Sequence, residues 1–426
     1  MTAAPGLAPL HTLTDGGTPP LRLPGSHFTV GYVFLLAGAA GLVLVAPELA
    51  AGAYLSPRVT GVTHLFTLGW ITTSIMGALC QLLPVALGRG IAWPRLAQAT
   101  LWVYAAGLAG FVFGLLTFRP PVLVTGAAGV AAALLTFDAN LAVTLRRAPA
   151  RDATWWALAA AASFLFVTVV VGGGLAANLR WPFIGEARMM ALATHLHVAL
   201  VGWVLMVMVG VGQRLLPMFL LSHGADERPG KAAIALLAAG TALLFALHHT
   251  PGTWARRVPA TLILLGVVAF LAQARAFYRT GRRPTLDTGL RMAAAGLILV
   301  AAAAVQGAAL TVVGFSAPRP ATAYVLTAIL GITIFVAAHY YKIVPFLVWL
   351  HRFGPMAGRA KVPSVADLYS RRWSAIAGVL TVLGAATLPV SVLAGTSTGA
   401  RAAALVLCAG LLVEGAQLVG VARARP

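Results

Sequence analysis

Apolar segments about twenty residues long recur from one end of this chain to the other, and that recurrence limits its fold more than any other feature. A helix crossing the hydrocarbon core of a bilayer needs about 20 apolar residues. Stretches of that kind fall at 27–50, 60–87, 95–118, 120–145, 152–178, 189–220, 230–249, 257–278, 288–314, 320–350, 373–395 and 400–423. Only short loops separate them, which leaves little chain for an extramembrane domain. Of 426 residues, 60% are hydrophobic and 9% charged, whereas a soluble domain has about a quarter charged. The expected fold is an all-α membrane protein of about 12 transmembrane helices, forming a single polytopic domain at 27–426. Residues 1–26, rich in Pro, Gly and Thr, read as a disordered cytoplasmic tail. They lack the charged, apolar, small-residue order of a cleaved signal peptide.

A net charge of +20 would suit nucleic acid if it were gathered on one basic face. Here the charges lie in the loops, so nucleic acid is excluded and the lipid bilayer is the expected partner. With the N-terminus inside, 22 of the 30 Lys and Arg fall on the inner side and 8 on the outer. The positive-inside rule then places both termini in the cytoplasm, as for a multi-pass protein of a bacterial inner membrane. The two cysteines, Cys80 and Cys408, each sit inside an apolar segment and form neither a CxxC site nor a disulfide framework.

The second and sixth segments carry one pattern. HLFTLGWITTSIMGALCQLLPV begins at His64, and HVALVGWVLMVMVGVGQRLLPM begins at His197. His64, Gly69, Trp70 and Pro84 match His197, Gly202, Trp203 and Pro217. The tenth segment has the same ending, Lys342-Ile343-Val344-Pro345, but Val325 stands at its histidine position. The copies are 133 and 128 residues apart, four helices each, which predicts three four-helix repeats at roughly 27–145, 152–278 and 288–423.

Of ten histidines, His11, His27, His223 and His351 read as solvated or interfacial side chains. His339, beside Tyr340, Tyr341 and Lys342, reads as interfacial packing or part of a polar inner cluster. The remaining five, His64, His195, His197, His248 and His249, all map to the outer third of the membrane. An intramembrane ionisable group is costly and ordinarily faces a partner or ligand inside the bundle. Residues two apart on a helix are turned by about 200°, so His195 and His197 look to opposite faces and serve separate centres. Neutral imidazole ligates heme iron and copper. His64 and His197, at equivalent positions, are the natural axial pair. His195 is left to join His248 and His249 in a metal site or to ligate a second heme.

On these residues the chain resembles the catalytic subunit I of the heme–copper oxidase superfamily. The nearest branches are the C-type cytochrome oxidases, the nitric-oxide reductases and the related NnrS heme-binding membrane proteins. HLHVALVGW at His195–Trp203 is similar to the family's heme-ligating helix, and His64 with LFTLGW to its low-spin heme ligand. His248-His249 is similar to the family's paired copper ligands. The resemblance implies a low-spin heme b between His64 and His197, and a high-spin heme on His195. It also implies copper or non-heme iron at His248 and His249, within a twelve-helix subunit I-like fold. The order departs from the family's, whose H-x-H helix is the tenth, and no Tyr follows His195 or His197 by four residues.

The expected function is therefore a heme-binding membrane redox protein, for electron transfer or for reduction or binding of a small gas such as NO or O₂. In that version it is an oxidase-like or reductase-like oxidoreductase of a respiratory chain. The alternatives are a transporter or metal-handling permease, and a non-catalytic assembly subunit of the same fold. No CxxCH occurs, so any c-type heme belongs to a separate cytochrome c-type or other redox subunit.

Overall fold

A computed structural model describes residues 19–250, 252–314 and 317–426, and His11 lies outside them. Among the described residues, twelve helices are long and apolar enough to cross a membrane. They are α1 (Arg22–Leu44), α2 (Pro57–Leu87), α3 (Pro94–Leu116), α4 (Pro120–Arg146), α5 (Ala153–Asn178) and α6 (Gly185–Leu220), followed by α7 (Arg228–Ala246), α8 (Trp254–Thr280), α9 (Thr288–Val313), α10 (Pro318–Arg352), α11 (Arg371–Leu393) and α12 (Ser397–Arg423). No β-strand forms among the described residues beyond two isolated bridges.

The one displaced helix is the first. It starts at Arg22, inside the stretch expected to be tail, and stops at Leu44 rather than running to residue 50. A separate short helix, Ala46–Ala50, follows with a proline in its first turn. Pro47 has no N–H to extend the preceding helix, yet its fixed φ suits a new start. The early start carries His27 into the bundle, where it is fully buried rather than solvated or interfacial. A Cβ at Gly77 of α2 would lie 2.7 Å from the His27 Cβ, so the missing side chain there makes room for it.

Three helices form the centre. In their apolar windows α2, α6 and α10 bury 72%, 61% and 78% of their residues, whereas the other nine helices bury 50% or fewer. The outer helices turn large apolar side chains such as Trp102, Phe166, Ile298 and Leu412 outward, the arrangement lipid requires. Lipid tails supply no net hydrophobic drive between helices, so close backbone approach carries the packing. The matched glycines serve that purpose. A Cβ at Gly69 would lie 2.6 Å from Phe34 Cβ on α1, and one at Gly202 would lie 2.6 Å from Phe164 Cγ on α5.

The polar residue three before each matched proline finds a role in two of the three helices. Asp152 caps α5 by accepting from the Trp155 N–H at 3.0 Å, and it pairs with Arg214 of α6. Asp287 caps α9 in the same way at 3.1 Å from Leu290 N and pairs with Lys342 of α10. Each cap carboxylate thus ties the start of one helix to the end of the next. Gln81 occupies that position in α2, and no acidic cap precedes α1.

Candidate functional site

Sequence matching between α2 and α6 is accompanied by matching backbone irregularity. Each continues past its histidine as a stretch of π-helix, Leu65–Thr72 in α2 and Val198–Leu205 in α6. A π turn bonds i to i+5, so the backbone widens and its ladder loosens, and such turns cluster at functional sites. The loosened carbonyls find other donors: the Leu68 carbonyl accepts from the Tyr104 hydroxyl at 2.9 Å and from Thr73 Oγ1 at 3.1 Å. The two π stretches face each other at the bundle centre, where the Trp203 indole N–H donates to Thr72 Oγ1 at 3.4 Å. No residue type in either stretch announces this geometry; only the shared pattern marks the place. α10 stays α-helical throughout.

Both matched histidines are set in the same tautomer. His64 Nδ1 lies 2.8 Å from the Thr60 carbonyl and His197 Nδ1 2.7 Å from the Ala193 carbonyl. A carbonyl only accepts, so Nδ1 carries the proton and Nε2 presents a lone pair. Metal-bound histidines are oriented by this kind of bond. The bond also forms locally at His27, His339 and His351, so it fixes the tautomer without marking a ligand by itself.

The surroundings then diverge. His197 Nε2 faces a cavity of about 310 Å³ enclosed by α6, α7, α8, α9 and α10. Its polar lining is His197, Thr194, Tyr324, His248, Thr250, Arg256 and Thr311, and the rest is apolar or glycine. The Tyr324 hydroxyl donates to Nε2 at 3.0 Å, with the two rings stacked 6.0 Å apart. Gly307 of α9 makes room for Tyr324, since a Cβ there would lie 2.9 Å from Tyr324 Cε2. A smaller cavity of about 60 Å³ also touches His197 and Tyr324 and extends along α6 to Leu205.

His64 does not reach this cavity. Its ring meets the edge of Phe111 on α3 at 5.0 Å, and it lies within electrostatic range of His195. His195 Nδ1 is buried without a hydrogen-bond partner, and its ring fills the space left by Gly172 of α5, where a Cβ would lie 2.6 Å from Cε1. His64 thus lines neither of the two cavities that His197 borders. If successive units are related by rotation about the bundle axis, equivalent side chains face successive clefts, never each other. His197 is met by the Tyr324 ring of the next central helix, and His64 has His195 of the next central helix within electrostatic range. In each case, a glycine on the helix before that ring accommodates it.

The expected metal group of His195, His248 and His249 also does not assemble. His248 borders the cavity that His197 faces, while His195, two residues along the helix, is turned away toward α5. The His248 and His249 rings are 3.6 Å apart; His248 stacks on Phe245 and bonds through Nδ1 to the Phe245 carbonyl at 2.8 Å. Among the described residues, no three His, Cys, Asp or Glu side chains converge as a metal site. A copper centre on His195, His248 and His249 together does not fit this donor set. One imidazole ligand to a planar iron cofactor does, through His197 Nε2 and the apolar walls around it.

Tyr324 was missed in the sequence. It stands one residue before Val325, the position that carries histidine in the other two copies, and a tyrosine in place of a histidine left no match to count. His339 is buried, with its ring 4.4 Å from Phe335 and 5.9 Å from Phe219. His223 sits in the loop after α6, its Nδ1 3.1 Å from the Leu221 carbonyl. Comparison with protein-family profiles and with curated proteins finds no match to this chain.

Proposed function

We propose that this chain is a heme-binding membrane redox protein built of three four-helix units, with its principal cofactor site in the cavity beside His197. The observation that carries the reading is His197 itself. Its Nδ1 proton is committed to the Ala193 carbonyl, and its Nε2 lone pair faces a mostly apolar cavity within the size range of small-molecule sites. Heme iron takes an axial imidazole in that tautomer, and its potential and ligand access follow from such surroundings. Bound there, a heme would supply one-electron chemistry or an iron position for a small gas. The protein's part is to orient the imidazole, exclude bulk water and place a phenol beside the coordinating nitrogen. Tyr324 would release Nε2 on cofactor binding and remain as a hydrogen-bond donor at the site's edge. His64, within electrostatic range of His195 in the neighbouring cleft, is the candidate for a second heme.

The three-unit arrangement is supported by the paired π stretches, the paired glycine–phenylalanine approaches and the two cap-aspartate ion pairs. The resemblance to heme–copper oxidase subunit I agrees with a heme in this position, although the ligand pairing differs from that family's.

The direct test is a reduced-minus-oxidised visible spectrum of protein purified from heme-replete cells. Soret and α bands that disappear in His197→Ala are the expected outcome. A wild-type preparation with no Soret band would sink the proposal. The existing hydrogen bond from Tyr324 to Nε2 favours a second reading, a permease in which this pair handles a passing ion. Graded loss of transport in His197→Ala, with no heme in the wild type, is what that reading requires.

A further inference from the structure

We infer that Glu414 is a proton-binding site within the membrane, separate from the histidine clefts and in exchange with the face at which α10 ends. Glu414 lies on α12, nine residues before Arg423, or about 14 Å of helix from that end. Its side chain is fully buried, and neither carboxylate oxygen has a hydrogen-bond partner. An ionised carboxylate without partner or counter-ion costs several kcal/mol or more in such a medium. The neutral acid is the form these surroundings accept. The site therefore holds one proton, taken from solvent by the carboxylate and returned to it, with no redox step.

The groups around it are phenols and hydroxyls rather than cations. Tyr32 of α1 and Tyr340 and Tyr341 of α10 all stand within its electrostatic range. Tyr32 is committed, donating to the Leu411 carbonyl at 2.7 Å, and Tyr340 pairs with Ser74 at 2.8 Å. From α11, Thr381 presents a buried hydroxyl with no partner. The short helix Ala46–Ala50, which also packs on α12, contributes only Glu48, already paired with Arg58 at 2.7 Å. Lys342, the nearest cation along α10, is engaged by Asp287.

Tyr341 is the exception among the phenols. Its hydroxyl is buried without a partner, and its ring lies 5.3 Å from that of Tyr369 in the segment between α10 and α11. That segment lies outside the spanning helices. Glu414 and Tyr341 are thus both buried dissociable groups without partners, and Tyr341 packs on Tyr369 at the edge of the bundle. Ionisable side chains held inside a membrane at such cost mark proton relays more often than packing. The inference does not depend on iron, since no histidine of either cleft takes part.

Infrared spectroscopy of the purified full-length protein in vesicles tests it. In H₂O a protonated-carboxyl C=O band is expected, moving to lower frequency on transfer to D₂O. Glu414→Gln should remove that band while Asp138→Asn, at a second acid within a spanning helix, leaves it. Tyr341→Phe should keep the band and slow its deuterium shift. Absence of any protonated-carboxyl band in the wild type overturns the inference, as does a band that Glu414→Gln leaves intact. A band that never shifts in D₂O overturns it too, because the proton would then be sealed in as packing. Wild-type exchange in Tyr341→Phe overturns the route. The wild-type measurement stands even if a variant fails to fold, and an absent Soret band leaves it untouched.

Discussion

The two histidine clefts start from nearly the same twenty residues and end as different chemical environments. Around His64 the ring meets Phe111, and another imidazole, His195, lies within electrostatic range. Around His197 the walls stand back, leaving about 310 Å³, and the facing group is a phenol. Pattern alone sets the helix, the π stretch, the tautomer and the glycine contact in both. What differs is supplied by another central helix: α6 carries His195 near the first cleft, and α10 offers Tyr324 to the second. The lesson is that a motif on one central helix specifies half of a site, and a neighbouring central helix specifies the other half.

The largest test of this asymmetry is to remove each histidine in turn. His197→Ala should abolish the heme signal of the larger cavity, whereas His64→Ala should leave that signal in place and remove only a second heme. Heme content per protein, measured with the reduced-minus-oxidised spectrum, separates the two. Equal and complete loss in both variants would mean that the histidines serve one centre, and the two-cleft comparison would break.

Below this comes the packing that both helices share. Gly69→Ala and Gly202→Ala each place a methyl 2.6 Å from a phenylalanine side chain. Overpacking of this kind costs about 1–3 kcal/mol. Both variants should therefore unfold at lower temperature in detergent by similar amounts. A large loss at one position with none at the other would argue that the two helices are not structurally equivalent after all.

Much of this was legible in the sequence, for definite reasons. Twelve spans could be read because a helix in lipid must satisfy its own backbone, so length and hydropathy are nearly sufficient. Even the helix boundaries were close, apart from the first, where Pro47 splits a continuous apolar run. The histidines could be chosen because intramembrane imidazoles are costly and two occupied one repeated position. Their partners could not. Which cleft a side chain faces depends on how the central helices are turned and packed against their neighbours, and that information is not in any one segment. Tyr324 shows the limit plainly: it stands beside a valine at the histidine position and fits no repeated pattern, yet it places a hydroxyl 3.0 Å from His197 Nε2. The π stretches were invisible for a similar reason, since a single inserted turn leaves no compositional trace.

The glycines behind each ring offer a sharper comparison. Gly172 and Gly307 both clear space for a ring on the following central helix, but their rings do different things. Gly172→Ala would drive a methyl to 2.6 Å from His195 Cε1, where Nδ1 has no hydrogen-bond partner. Gly307→Ala would meet Tyr324 Cε2 at 2.9 Å while the hydroxyl is anchored on His197. Gly172→Ala should therefore move His195 at modest cost, seen as a change confined to the second heme's spectrum. Gly307→Ala should strain the Tyr324–His197 bond and alter the spectrum of the larger cavity. The reverse assignment of spectral changes would exchange the two sites.

The smallest effect belongs to the Tyr324 hydroxyl. Tyr324→Phe keeps the stacked ring and removes one hydrogen bond, a change worth about 1 kcal/mol to the cofactor-free protein. His197 Nε2 is then left as an acceptor with no donor, so the free protein loses that stability while the nitrogen becomes more available to iron. Heme affinity should rise or hold as thermal stability of the apoprotein falls, the two measured on one preparation with and without added hemin. A permease reading predicts the opposite coupling. There the hydroxyl and the imidazole act together on the passing ion, and losing the hydroxyl would weaken transport without creating any affinity for heme. The sign of the change in hemin binding therefore decides which of the two functions the second cleft serves.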